Sequence, residues 1–124
     1  MQDFTRLKVW HKAHTLALDI YRATERFPRR DGLALSAQLR RASLSIAANI
    51  AEGAGKPSDA EFRRYLQIAL GSASETRNHL MVTHGLGLID DPSYEQLVAR
   101  IVEIRRMLCG LARRLTEGAA QPGE

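Results

Sequence analysis

The sequence predicts an all-α fold, an antiparallel up-down-up-down four-helix bundle. Three observations carry this expectation. Ala, Leu, Arg and Glu dominate while aromatics make up only 6% of the 124 residues, a composition that favours helix over strand. Apolar residues recur at alternating spacings of three and four through four long segments. The breaks between segments are short and rich in Gly and Pro, so neighbouring helices must run antiparallel. Helices of about 20–26 residues are then about 30–39 Å long at 1.5 Å per residue.

The first helix is expected over residues 5–27, with Asp3 or Thr5 as N-cap. Val9, Ala13, Leu16, Ile20, Ala23 and Phe27 form one stripe, and Leu7, Trp10, His14, Ala17 and Tyr21 form a second beside it. Together they are wider than one bundle seam requires, so the second stripe is expected to face another subunit. Phe27-Pro28 ends this helix and Arg29-Arg-Asp-Gly32 is read as a polar loop. Helix 2 follows over 33–53, its stripe Leu35, Leu39, Ala42, Ile46 running on through the polar Asn49.

Gly53-Ala-Gly-Lys-Pro-Ser58 is the next break. It lacks the spacing and the strand–helix setting of a phosphate-binding loop, and reads as a helix C-cap followed by a turn. Ser58-Asp-Ala-Glu61 is a capping box opening helix 3, expected over 58–84. Asp91-Pro92 supplies an N-cap and a first-turn proline for helix 4, over 92–116. That helix has the clearest periodicity of the chain, through Tyr94, Leu97, Ile101, Ile104, Leu108, Leu111 and Leu115. Residues 1–116 thus form one bundle domain and 117–124 a flexible tail.

Helices 2 and 3 form a hairpin. A turn centred near residues 55–56 pairs residues whose numbers sum to roughly 111, and sets the small-residue segments 45–49 and 69–73 against each other. Close approach of the two axes there would offset the helix-weakening Gly71, about 1 kcal/mol against Ala. Asn49 must find a hydrogen bond, from the loop after Gly53 or from helix 1 or 4. Gln38, Ser45, Asn49, Glu52, Ser72 and Glu75 are read as a polar network that sets register, with Arg40, Arg41 and Gln38 in reach of Glu75; a ligand or catalytic site is the alternative.

Fifteen of the 18 basic residues are Arg and the net charge is +4. Five Arg doublets occur, and Arg40, Arg41, Arg63, Arg64, Arg105 and Arg106 are the candidate nucleic-acid contacts, because guanidinium forks onto phosphate. The bland alternative is a solvated helical surface. A lone Cys109 suits a reducing cytoplasm. No apolar run is long enough to span a membrane, and the N-terminus lacks the apolar core of a signal peptide.

Leu7-x-Val-Trp10-x-Lys-Ala, Phe27-Pro28, Gln38-Leu-Arg-Arg-Ala-x-x-Ser45-Ile-x-x-Asn49-Ile-Ala-Glu-Gly53, Phe62-x-x-Tyr-Leu and Gly71-Ser-x-x-Glu75 resemble the small four-helix-bundle proteins encoded in intervening sequences of bacterial 23S rRNA genes. The resemblance covers about residues 4–115. The accessory variability proteins of diversity-generating retroelements are similar in fold. The resemblance implies a homo-oligomer, a ring of five, with a basic surface that engages RNA and, in the retroelement relatives, a reverse transcriptase. It implies no enzymatic activity.

The residues agree on that last point. A di-iron bundle needs paired Glu-x-x-His motifs, and none occurs; His11, His14, His79 and His84 lack carboxylate support at ligand spacing, and Cys109 lacks a His beside it. No cofactor, metal or small-molecule substrate is expected. The leading expectation is a non-enzymatic homo-oligomeric scaffold binding nucleic acid or a nucleoprotein through Arg doublets, so that reversing Arg40, Arg63 or Arg64 to Glu abolishes RNA binding. A protein-interaction module whose basic residues are merely solvated is the alternative.

Overall fold

The computed structural model describes residues 1–119. Four helices follow a 3₁₀ turn at Phe4–Arg6: α1 (Lys8–Thr24), α2 (Arg29–Ala54), α3 (Asp59–Gly85) and α4 (Asp91–Ala119). Helix α1 packs on α2 and α4, and α3 packs on α2 and α4. Neither diagonal pair makes a close approach among the described residues.

Side-chain pairs give the directions. On α1 and α4, Lys12 meets Glu103 at 2.7 Å and Asp19 meets Arg100 at 2.8 Å. On α2 and α3, Ser45 meets Ser72 and Glu52 meets Tyr65. In both pairs of helices one number rises as the other falls, so neighbours are antiparallel. Leu16, Ile20, Leu39, Ile46, Leu66, Leu80, Ile104 and Leu108 are fully buried in one continuous core drawn from all four helices. The α4 stripe is in it from Leu97 to Leu115.

Helix boundaries differ from expectation most at both ends of α1 and at the start of α2. Asp3 does cap, but it caps the 3₁₀ turn, accepting from the Thr5 N–H at 3.0 Å and the Thr5 hydroxyl at 2.6 Å. Helix α1 then starts at Lys8 and ends at Thr24, inside the expected 5–27. Phe27 lies beyond it, buried, with its N–H on the Thr24 carbonyl. The expected loop at Arg29–Gly32 is instead the first turn of α2. Pro28 is its N-cap, with φ −58° and ψ 136°, and the Pro28 carbonyl accepts from the Gly32 N–H. A proline bars helix before itself but not after. Gly32 is needed there because a Cβ would lie 2.7 Å from that of Phe27.

The Ser58 cap forms as expected, its hydroxyl accepting from the Glu61 N–H. At α4 the cap is Asp90 rather than Asp91. Its carboxylate accepts from the Ser93 N–H at 2.8 Å, while Asp91 pairs with His84 at 2.6 Å. Of the expected tail, residues 117–119 continue α4, and 120–124 lie outside the described residues.

The Ser93 backbone bond, with a side-chain bond from the same residue, holds the Asp90 carboxyl below its ordinary 3.8. A depressed carboxyl stabilises the fold above its ordinary pKa and ceases to do so as pH falls through the folded value. Asp90→Ala is therefore expected to weaken the protein at neutral pH, with the gap from wild type closing in acid. Parallel urea titrations at neutral and strongly acidic pH check this.

Candidate functional site

The α2–α3 seam carries the polar residues that interrupt the helix 2 stripe. Ser45 and Ser72 share a hydrogen bond at 2.8 Å, and the Asn49 amide donates to the Ser45 carbonyl at 2.8 Å and hydroxyl at 2.9 Å. Asn49 is half-buried and finds its partner one turn away on its own helix, not in the loop or on α1 or α4. Gln38 accepts from Arg41, Tyr65 donates to Glu52 at 3.4 Å, and Glu75 pairs with His79. The network is thus four short clusters along an outward seam, and Glu75 takes His79 rather than an arginine.

Facing pairs sum to 117, not 111. Side chains tilt toward the N-terminus of their own helix, away from the hairpin turn on α2 and toward it on α3. Residues that meet therefore both sit further along the chain than the backbone midpoint gives. The small-residue segments do face each other, but the tight spot lies elsewhere. A Cβ on Gly71 would meet nothing within 4 Å, whereas one on Gly53 would lie 2.6 Å from the Tyr65 Cβ and 2.9 Å from Phe62. Gly53 is inside α2, which is capped by Gly55. It permits close approach and does not end the helix.

Asn49→Leu is expected to destabilise the fold by about 1 kcal/mol, because Ser45 loses its donor beside the buried Ser72. Urea denaturation measures it, and RNA affinity should stay as in wild type.

The candidate arginines do not form one group. Arg40 is turned into the fold: its Nε donates to Thr24 at 2.7 Å, and its guanidinium lies 4.5 Å from the centre of the Tyr21 ring. Arg41 bonds Gln38, Arg64 is exposed, and Arg63 is half-buried with its Nη1 unpartnered among the described residues.

Arg105 and Arg106 sit differently. Consecutive helical residues are about 100° apart, so each doublet on α4 splits across the helix. Arg105 and Arg113 line a groove of about 400 Å³ between α3 and α4, joined by Arg77, Val102, Arg106 and Cys109. Arg106 and Arg114 line a second, of about 450 Å³, toward the chain start, with Arg6 and Lys8 across from them. From residue 104 to 116 the sequence holds four arginines and no carboxylate. Glu103, just before this stretch, is engaged by Lys12. The Nε of Arg105 is buried without a hydrogen-bond partner among the described residues. The outer face of α4 is thus a basic ridge between two basic grooves.

Arg77, Arg113, Arg114, Arg6 and Lys8 were not among the candidates. The i, i+7 spacing of Arg106 and Arg113 on α4 could have found Arg113; Arg77, Arg114 and the N-terminal pair needed the packing. Among the described residues no three His, Cys, Asp or Glu side chains are placed to hold a metal. Among them, too, no helix is long and apolar enough to cross a membrane.

Fold and site define an all-α four-helix bundle with an arginine-rich outer helix. The chain belongs to the 23S rRNA-intervening sequence protein family, whose model matches residues 5–110. No curated protein matches it. Among solved structures it is similar to a protein of unknown function from the S23 ribosomal protein family of Bacteroides thetaiotaomicron. The two share 28% identity and a TM-score of 0.77, over 85% of this chain and 95% of the other.

Proposed function

We propose that this protein is a non-enzymatic, homo-oligomeric scaffold that binds RNA through the α4 ridge. One observation carries the reading: Arg77, Arg105, Arg106 and Arg113 converge on one groove with no carboxylate among its described lining residues. Such a cluster repels itself and is relieved by a polyanion, and guanidinium forks onto phosphate. The exposed thiol of Cys109 in that groove is in keeping with a reducing cytoplasm.

The assembly is read from the opposite side of the molecule. Ala42 to Ala51 on α2 carries no charge, and Leu44 is exposed one turn along from Arg40. Tyr21 and Leu18 of the neighbouring α1 are exposed as well. This α1–α2 face, with the Arg40 guanidinium over Tyr21 at its edge, is the surface for a second copy, and a ring of five is the assembly the family resemblance favours. Burying it between copies leaves α4 outward, where the ridges of all copies would add.

Two measurements test the reading. Light-scattering mass should give an oligomer, and a strict monomer would overturn the assembly. Fluorescence anisotropy with a labelled RNA at low salt should show binding, and none would overturn the RNA reading in favour of a protein-interaction module.

A further inference from the structure

We infer that the α4 ridge recognises double-helical RNA through its phosphates, and not unpaired bases. This inference rests on the RNA reading above and specifies the form of RNA. Proteins that hold single strands stack successive bases on aromatic side chains beside a basic track. Neither basic groove has an aromatic or a histidine among its lining residues. The aromatic groups are engaged elsewhere. Trp10 packs edge-on to Phe4 and is stacked with His14 at 4.8 Å, Tyr21 is covered by Arg40, and Tyr94 stacks on His84 at 3.9 Å. Tyr65 lies on the α2–α3 seam with Glu52 and Lys56. Among the described residues, therefore, no stacking platform accompanies the cations.

The geometry of the ridge suits a duplex. At about 100° per residue Arg106 and Arg113 lie nearly in line along the crest of α4, seven residues and hence about 10.5 Å apart, with Arg105 on the α3 flank and Arg114 on the α1 flank. The flanks are separated by α4 itself, whose diameter with side chains is about 10–12 Å. Guanidinium groups on the crest and both flanks of a convex ridge can reach the two phosphate rows that border the shallow minor groove of A-form RNA. The described lining of both grooves is arginine, lysine, glycine, Cys109 and apolar side chains, so binding is set by shape and charge.

Anisotropy titrations decide it, using a blunt RNA duplex of about 16 base pairs, a second duplex of permuted sequence and an oligouridine strand of equal length. The two duplexes should bind within about twofold of each other and at least about tenfold more tightly than oligouridine, since stacking worth roughly 1–3 kcal/mol per base is missing for the strand. Arg105→Glu with Arg113→Glu should abolish the duplex preference. Oligouridine binding as tightly as the duplexes overturns this inference and leaves the RNA reading standing. Failure of all three probes to bind overturns both.

Discussion

Gly53→Ala is expected to destabilise the protein by about 1–3 kcal/mol, the cost of overpacking a close helix contact. Helix propensity alone points the other way, since Ala is favoured over Gly in a helix by about 1 kcal/mol. Geometry decides against it. The new methyl would sit 2.6 Å from the Tyr65 Cβ, 2.9 Å from the Phe62 ring and 3.3 Å from the Phe62 carbonyl. A Cβ and a carbonyl are anchored to the backbone, so no rotamer change relieves the contact and the ends of α2 and α3 must move apart. Gly71→Ala is the internal control. With nothing within 4 Å it should stabilise by about 0.4–1 kcal/mol. Urea denaturation of the two variants should therefore give shifts of opposite sign. Shifts of the same sign would contradict the seam described above.

The Arg105→Glu, Arg113→Glu double variant is expected to lower RNA affinity at least about 100-fold at low salt with little change in stability. Both residues face the α3–α4 groove, and reversal replaces two phosphate-binding cations with two repelling charges. Arg40→Glu should behave in the opposite manner. Its guanidinium bonds Thr24 and covers Tyr21, so its loss weakens the α1–α2 packing, while its distance from the ridge leaves RNA binding largely intact. The contrast separates a phosphate contact from a structural arginine in two residues that look alike in the chain. Anisotropy and urea unfolding on the same samples read both effects.

Much of the fold is legible in the residues alone because helical periodicity reports burial directly. The α4 stripe and the Ser58 cap are of this kind, and the signature residues point to the family. What eludes such reading depends on the third dimension. Pro28 looks like the start of a loop, yet it begins α2, since Gly32 opposite Phe27 lets the first turn close. Gly71 looks like a contact glycine and Gly53 like a cap, and their roles come from which helix lies across from them. The Arg doublets mislead most. Arg105 and Arg106 do share a groove, but Arg113 joins them without Arg114, and Arg77 comes from α3, so the cluster follows helix faces and not doublets.

The central claim is electrostatic recognition of RNA by the α4 ridge, and the salt dependence of affinity tests it most directly. Each neutralised phosphate contributes about −0.7 to −0.9 to the slope of log K against log salt. Four arginines in the α3–α4 groove therefore predict a slope near −3 for each copy engaged, flattened by about 2 in the Arg105→Glu, Arg113→Glu variant. A slope indistinguishable from zero, or the same slope in wild type and variant, would contradict the account.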